Sequence, residues 1–297
     1  MSVIPLVLPD FMLIALGWAL LHLLGFERRF FVNAERLVYF VLFPALLFYS
    51  ITRTPLSLGN ASTLLAATFG IMGCGIALAW LARPVLHPDL ASHASLAQCG
   101  FRFNTYIGLS IAGSMQLAGA QTIMAVIVGF AVPISNIGAV HALASQNGGR
   151  ALREILRNPF ILATVLALLC NFLAIPIPHA INETLGRLGQ SAIVIGLLCV
   201  GATLSLEGGR QHATLITWMI VAKLLVLPLC ALLIGPALGL SIVEQQVLLL
   251  FSTLPTASSA HVLAARMGGN GPLVAVTMSL GTILSALTIP LWLALAP

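Results

Sequence analysis

Residues 251–261 read Phe251-Ser-Thr-Leu-Pro-Thr-Ala-Ser-Ser-Ala-His261, a polar segment with a central proline inside the long apolar run 242–266. A second polar segment, Cys99-Gly-Phe-Arg-Phe-Asn-Thr-Tyr-Ile-Gly-Leu-Ser110, lies inside the apolar run 93–115. Because Pro255 cannot donate a backbone hydrogen bond and clashes with the preceding turn, it predicts either a break or a plain kink of the helix just before it. Gly108 gives the second segment a weak point of its own and is a candidate residue of the binding site. Both runs are therefore predicted to be interrupted helices.

The composition around these segments is that of a membrane protein. The chain has 297 residues, of which 59% are hydrophobic and 7% are charged, whereas roughly 25% of the residues are charged in a soluble domain. So few charged groups cannot cover a soluble fold of this size, which excludes a soluble enzyme, and the same figures exclude a disordered chain. The five cysteines lie in apolar runs without metal-ligand or redox spacing, so they are interpreted as small buried hydrophobic residues.

The apolar runs predict an all-α membrane protein with ten transmembrane helices, since each crossing takes about 20 residues. The first run is too long for a signal peptide and is predicted to remain as a span. Nine basic residues lie at or after the ends of odd-numbered spans and two lie after even-numbered spans, which predicts that both termini are extracytoplasmic. The predicted spans are 4–25, 36–52, 61–83, 93–115, 119–144, 158–177, 188–205, 213–236, 242–266 and 272–296.

The two halves of the chain resemble each other at a nearly constant offset. Arg36-Leu37 matches Arg187-Leu188, 151 residues later, and similar matches recur in other spans. Five spans per repeat is an odd number, so the second half is predicted to be inverted relative to the first. The predicted division is 1–148 for the first five-helix repeat and 149–297 for the second. Inverted repeats of this kind are typical of secondary transporters.

The charges indicate what the interrupted helices would bind. A broken helix exposes backbone N–H groups and the positive end of a dipole, which favour an anion. All acidic residues are placed at span ends or in connections, so no carboxylate is expected near mid-membrane, whereas Arg102 and Lys223 lie within spans and His261 lies nearby in depth. A buried cation needs a partner, and backbone carbonyls, water or the substrate's own charge could provide it.

Each of these three residues has more than one interpretation. Arg102 either attracts an anion or is anchored by carbonyls or lipid headgroups. Lys223 is a site residue, a charge that gates movement and coupling, or a lysine that reaches the membrane surface. His261 binds substrate, carries a proton or has a structural role.

Enzyme signatures are absent from the sequence, which has no H-E-x-x-H, no G-x-S-x-G and no P-loop. No enzyme activity, cofactor or metal site is therefore predicted. The formal net charge of +5 is interpreted as a topology signal rather than as evidence for a nucleic-acid partner. The expected partners are the lipid bilayer and a small organic anion.

Several stretches resemble the auxin efflux carrier family of membrane transporters, which lies within the bile acid/arsenite/riboflavin transporter superfamily. They occur in order over nearly the whole chain, so together they are more specific than any single motif. The stretches are Asn33-Ala-Glu-Arg-Leu-Val-Tyr-Phe-Val-Leu-Phe-Pro-Ala-Leu-Leu-Phe48, Phe101-Arg-Phe-Asn104, Arg157-Asn-Pro-Phe160, Gly201-Ala-Thr-Leu-Ser205 and Leu254-Pro-Thr-Ala257.

The resemblance implies two inverted repeats in the plasma (inner) membrane, with spans four and nine broken and crossing at its centre. Spans 1, 2, 6 and 7 would form a scaffold, and spans 3–5 and 8–10 a transport domain that moves as an elevator. The implied substrates are auxin-like acids and small carboxylates such as malate, malonate or lactate. The implied site residues are Asn104, Thr105, Pro255, Thr256, Ser258 and Ser259.

This chain departs from the family at a few positions. Relatives usually carry proline where this chain has Ser110, and many carry asparagine and then an aromatic residue where it has Ser259 and His261. The apolar face of spans two and seven could support a homodimer. Two alternatives stay open, a sodium-coupled organic anion symporter of the bile-acid type and a non-transporting anion-binding sensor. The expected lack of a mid-membrane carboxylate argues against the first, and the lack of a signalling domain on this chain argues against the second.

Overall fold

The computed structural model describes residues 4–52, 58–144, 159–205, 209–257 and 259–296, and within these ranges the chain is helical and contains no strand. We number the helices along the chain and mark the two parts of an interrupted helix with letters. The helices are α1 Ile4–His22, α2 Arg28–Thr52, α3 Leu58–Leu86, α4a Leu90–Ala97, α4b Thr105–Ser114, α5 Ala120–Ala144, α6 Pro159–Phe172, α7 His179–Ala202, α8 Arg210–Ala237, α9a Ile242–Thr253, α9b Ser259–Arg266 and α10 Gly271–Ala294.

Six helices within the described ranges are long and apolar enough to cross a membrane. Shorter apolar helices accompany them at Leu8–His22 and Ile242–Thr253. The protein is therefore an all-helical, multi-pass membrane protein. The six long segments are Arg28–Thr52, Ser62–Leu86, Ala120–Leu143, His179–Ala202, Arg210–Ala237 and Gly271–Ala294.

Two helices begin more than two turns before the apolar runs predict, whereas the other early starts differ by at most three residues. α2 begins at Arg28 rather than at residue 36, and α7 begins at His179 rather than at residue 188. The reason is that a charged residue ends an apolar run without ending a helix, because an amphipathic turn keeps its charges on the outer face. In Arg28–Leu37 the buried residue is Phe31. Arg28 and His179 are again 151 residues apart.

The helices form two packing groups, of which the first contains α1, α2, α6 and α7. α1 and α7 approach so closely that a Cβ atom on Gly201 would overlap the carbonyl oxygen of Ile14, and a Cβ atom on Gly17 would overlap that of Leu198. Small residues allow such contact between helix backbones in membranes. α2 packs on both α6 and α7, and Asn171 Nδ2 donates a hydrogen bond to the Ile51 carbonyl at 2.6 Å.

The second packing group contains α3, α4a, α4b, α5, α8, α9a, α9b and α10. Two indole N–H groups join its helices, since Trp218 Nε1 donates to the Leu78 carbonyl at 2.9 Å and Trp292 Nε1 donates to the Leu224 carbonyl at 2.8 Å. The two groups meet where α5 packs on α2 and α6, where α1 packs on α4b and α10, and where α7 packs on α4b.

An exposed cap begins the first interrupted helix, and its replacement should cost stability. The Asp89 carboxylate accepts a hydrogen bond from the Ser92 N–H at 2.8 Å, and this bond holds the pKa of Asp89 below its ordinary value of 3.8. Asp89→Ala is expected to lower the free energy of unfolding by about 1 kcal/mol at neutral pH. Thermal unfolding of the detergent-solubilised protein measures the difference between the two proteins.

The pH dependence of this difference follows from the lowered pKa. The stabilisation is fully present above the ordinary value and is lost as the pH falls through the folded-state pKa, because the carboxylate then protonates. Asp89→Asn is the matched control, since asparagine keeps a capping oxygen and should unfold near the wild-type temperature. Equal losses in Asp89→Ala and Asp89→Asn would contradict the capping role.

Candidate functional site at the crossing of two interrupted helices

The first interruption is set by a helix cap. α4a ends at Ala97, a 3-10 turn follows over Gln98–Gly100, and α4b begins after Asn104, whose backbone is extended. The Asn104 side-chain oxygen accepts hydrogen bonds from the backbone N–H groups of Tyr106 at 3.1 Å and Ile107 at 3.2 Å. An asparagine in this position is among the strongest N-caps. The helix therefore breaks without a proline, and two of the backbone N–H groups expected to be free are already bonded.

Gly108 does not mark this break, which comes four residues earlier, so the predicted weak point is wrong in position. Gly108 lies inside α4b, and a Cβ atom added to it would lie 2.7 Å from Leu254 Cδ1. The missing side chain leaves room for the second interrupted segment to pack against α4b. Gly108 is thus placed as a packing residue between the two segments.

The second interruption lies at the predicted proline. α9a ends at Thr253, and Leu254 is extended with ψ near 136°. The ring of Pro255 disfavours the helical conformation in the residue before it, which accounts for this backbone. α9b begins at Ser259, whereas Ser258 lies outside the described residues.

The two interrupted segments contact each other directly. The backbone N–H of Asn104 donates to the Pro255 carbonyl at 2.7 Å, and Thr256 Oγ1 donates to the Cys99 carbonyl at 3.0 Å. The rings of Phe103 and Phe251 pack edge to face with centroids 4.7 Å apart. The segments 99–104 and 254–257 therefore form one buried crossing. It is held by one hydrogen bond between backbone groups and by one from a side-chain hydroxyl to a backbone carbonyl, and these satisfy backbone groups that the breaks have released.

One amide donor at this crossing is buried and lacks an acceptor. Asn104 is 2% exposed, and no acceptor for its Nδ2 lies within the part of the chain that the structure describes. The orientation of the amide is fixed, because the other side-chain atom accepts two backbone N–H groups and must be the oxygen. An unpaired buried donor costs about 1–3 kcal/mol, so this group is suited to a ligand that brings an acceptor.

Two cationic side chains are buried near the crossing. Arg102 lies in the first interrupted segment, and its Nη1 donates to Gln98 Oε1 at 3.2 Å. Lys223 lies in a π-helical turn of α8, is 3% exposed, and places Nζ 6.0 Å from the centroid of the Phe251 ring. The interpretation of Lys223 as a lysine that reaches the membrane surface is therefore wrong, because its ammonium group points into the protein beside the crossing.

The remaining predicted residues lie on the two half-helices. Thr105 is the first residue of α4b and is half-buried, and His261 lies in the first turn of α9b and is half-buried. The structure thus joins Asn104, Pro255 and Thr256 through hydrogen bonds between the segments, and Lys223 approaches the crossing through Phe251.

With this geometry in view, comparisons with known proteins identify the class. The sequence profile of the family described as "Membrane transport protein" matches residues 148–293. The second half of the chain therefore matches this family. The resemblance to the auxin efflux carriers is thereby confirmed, and the protein is a membrane transporter.

Relatives of this transporter are found in bacteria and archaea. A protein of Rhizobium meliloti (strain 1021) named "Putative malonate transporter" is 26% identical, over 96% of this chain and 92% of its own. An "Uncharacterized transporter" of Methanothermobacter thermautotrophicus is 27% identical, over 98% of this chain and 95% of its own. The "Uncharacterized transporter YfdV" of Escherichia coli (strain K12) is 26% identical over 48% of this chain.

The transporter also contains a buried carboxyl group that the sequence analysis placed at a span end. Asp10 of α1 is 5% exposed, and its Oδ1 accepts a hydrogen bond from Ser110 Oγ of α4b at 2.5 Å. The expectation of no buried carboxylate is wrong, because α1 already begins at Ile4 and α4b covers Asp10. The sequence did contain a signal for this site, because Asp10 lies within the apolar run that begins at Ile4. An acidic residue inside a membrane span is by default a candidate functional residue, and that rule would have singled out Asp10.

Proposed function

We propose that this transporter carries small organic anions, carboxylates such as malate, malonate or lactate or auxin-like acids, and that the anion binds at the crossing. The observation that carries the proposal is the amide nitrogen of Asn104, which is buried, fixed in orientation and without an acceptor in the described residues. A carboxylate accepts hydrogen bonds through two oxygens and donates none. It therefore supplies what this nitrogen lacks.

The charge beside the crossing supports the same ligand class. The described contact of the Lys223 ammonium is the face of the Phe251 ring at 6.0 Å, and a ring stabilises a buried cation only in part. A buried charge needs compensation, and a bound carboxylate provides it. Arg102 would add positive potential from the first segment, while Gln98 holds its guanidinium in place.

Other predicted residues complete the proposed site. We place Thr105, Ser258 and Ser259 around the anion as hydroxyl donors, with His261 adding a donor from α9b. Pro255 would keep the second segment open, and Thr256 would hold that segment against the first through its hydrogen bond to the Cys99 carbonyl. The malonate named for the relative from Rhizobium meliloti supports a small dicarboxylate as the first substrate to test.

The proposed mechanism is alternating access of the elevator type. Its support is the division into two packing groups, in which α1, α2, α6 and α7 would be the scaffold and α3–α5 with α8–α10 the transport domain. The recurrence of helix starts 151 to 155 residues apart supports two repeats, 1–148 and 149–297, with the second inverted. The distribution of basic residues supports extracytoplasmic termini in the plasma membrane.

Sodium coupling is the second candidate, because Asp10 supplies the buried carboxyl group whose expected absence argued against it. Asp10 contacts Ser110 on α4b rather than the segments of the crossing. The experiment below therefore compares sodium with potassium for each anion.

Thermal stability of the purified protein tests the proposed function. We expect one or more carboxylates to raise the unfolding temperature equally in sodium and in potassium, at pH 6 and at pH 7.5. A ligand at 100 times its dissociation constant stabilises the folded state by about 2.7 kcal/mol. Stabilisation only with sodium would favour the symporter, and no effect of any carboxylate would contradict an anion site.

Lys223→Met is the matched variant, since methionine keeps an unbranched apolar side chain and removes only the ammonium group. We expect it to weaken the stabilisation by malonate while the ligand-free protein unfolds at or above the wild-type temperature, because burying a lone charge is unfavourable. A wild-type malonate response in Lys223→Met would contradict the role of Lys223.

A further inference from the structure

The contact between Asp10 and Ser110 joins the two packing groups of the transporter. Asp10 lies on α1, which is packed tightly on α7, and Ser110 lies on α4b, which continues from the crossing. If α4b moves with the transport domain, this contact must open in every cycle. The inference that follows therefore rests on the proposed function.

Only one of the two carboxyl oxygens of Asp10 has a partner. Oδ1 accepts from Ser110 Oγ, whereas Oδ2 is buried and has no hydrogen-bond partner within the described ranges. An ionised carboxylate has about four acceptor sites, so a single hydroxyl satisfies it poorly. The geometry suits a carboxyl group that holds a proton better than one that is ionised.

The described helices that pack against α1 offer no positive charge near Asp10. α2 carries Arg28, Arg29, Glu35 and Arg36, but its Phe31 packs against α1 at Leu20 and Leu21, about three helical turns from Asp10. α4b contributes Tyr106 as its one titratable residue, α10 contains no titratable residue, and α1 itself contributes only His22, three turns from Asp10. On α7 the titratable residues are His179, Glu183, Arg187 and Cys199, of which the first three lie in its first nine residues and Cys199 contacts the Phe31 carbonyl. An isolated carboxylate in such surroundings is far more costly than a neutral acid.

We propose that Asp10 is a proton-binding site at the boundary between the two groups, protonated while α1 and α4b are in contact and ionised when they separate. When the contact between α1 and α4b closes, the carboxylate takes a proton from hydronium, which leaves water. When the contact opens, the carboxyl group returns that proton to water. No proton crosses the membrane in this exchange. Acid therefore stabilises the conformation described here and slows the steps that leave it.

Infrared difference spectroscopy tests the proton site without any transported anion. At about pH 6, where exposed carboxyl groups are ionised, the wild-type protein in lipid nanodiscs should show the carbonyl band of a protonated carboxyl, and Asp10→Asn should lack it. Glu244→Gln is the matched control, because Glu244 is a half-buried capping residue whose carboxylate accepts hydrogen bonds from the backbone N–H and the hydroxyl of Ser241, and this variant should keep the band. A wild-type protein without the band from about pH 8 to about pH 5 would overturn the proposal.

Exchange of radiolabelled malonate across liposomes tests the consequence for transport. The wild-type exchange rate should fall with acidification, by up to about ten-fold per pH unit from a single proton, and Asp10→Asn should be slow at every pH. Malonate titrates in the same range, so the ratio of variant to wild type isolates the proton site. A pH profile of Asp10→Asn that parallels the wild-type profile would overturn the proposal.

A second variant covers failure of Asp10→Asn to fold. Ser110→Ala keeps the acid and removes its hydroxyl partner, so the carbonyl band should move toward that of a carboxyl without a hydrogen bond, and an unchanged band would overturn the assignment. Absence of malonate exchange in every protein, with the infrared band present and lost in Asp10→Asn, would instead contradict the proposed function and leave the proton site standing.

Discussion

Asn104→Asp is expected to weaken carboxylate binding at least about 100-fold while the protein stays folded. Aspartate caps a helix as well as asparagine does, so the bonds to the backbone N–H groups of Tyr106 and Ile107 persist. The amide donor, however, becomes an oxygen with negative charge, and like charges brought together in a buried site cost several kcal/mol. Titration of the unfolding temperature with malonate measures the loss.

Two further variants separate the cap from the ligand donor. Asn104→Ala removes both the helix cap and the amide donor. It should lower the free energy of unfolding by about 1 kcal/mol and also weaken malonate binding. Thr256→Val removes the hydroxyl that donates to the Cys99 carbonyl. It should weaken the contact between the two segments without adding a negative charge to the binding site. If Asn104→Asp bound malonate with wild-type affinity, the assignment of Asn104 to the binding site would be contradicted.

Gly201→Ala is expected to destabilise the protein by about 3 kcal/mol or more, at the upper end of the range for overpacked positions. The added Cβ atom would overlap the carbonyl oxygen of Ile14, a backbone atom that cannot rotate away, so α1 and α7 must separate. Thermal unfolding and the yield of monodisperse protein measure the effect.

Gly281→Ala is the control for helix propensity, because none of the described residues comes within 4 Å of a Cβ atom added at that position in α10. Alanine is favoured over glycine in a helix by up to about 1 kcal/mol, so this variant should be as stable as the wild type or more so. Equal stability of Gly201→Ala and Gly281→Ala would show that the α1–α7 contact is looser than described.

The sequence predicts one helix break better than the other, for a physical reason. Pro255 interrupts its helix through its own ring and its missing N–H. These are properties of the residue itself, so a single sequence is enough to predict this break. The break before α4b depends on Asn104 accepting two N–H groups and donating its own N–H to Pro255, which is 151 positions away. The neighbouring sequence does not distinguish Asn104 from an asparagine on an ordinary helix surface. The break was therefore predicted at Gly108 instead.

Burial of single charged residues is the other part that the sequence predicts poorly. Asp10 and Lys223 both lie in apolar runs, and a run gives depth without showing which face of the helix is covered. Asp10 is covered because α4b packs against α1, and Lys223 points inward from a π-helical turn, which shifts the faces of the residues around it. Both depend on contacts between distant parts of the chain.

The hydrogen bonds between the two interrupted segments also constrain how the protein is made. The Cys99 carbonyl and the Asn104 N–H belong to residues synthesised long before Thr256 and Pro255, which pair with them. During biosynthesis the first break enters the membrane with these groups unpaired, a costly state in an apolar medium. α4a and α4b can therefore reach their final arrangement only after the ninth helix has been inserted, so the two halves mature together rather than one after the other.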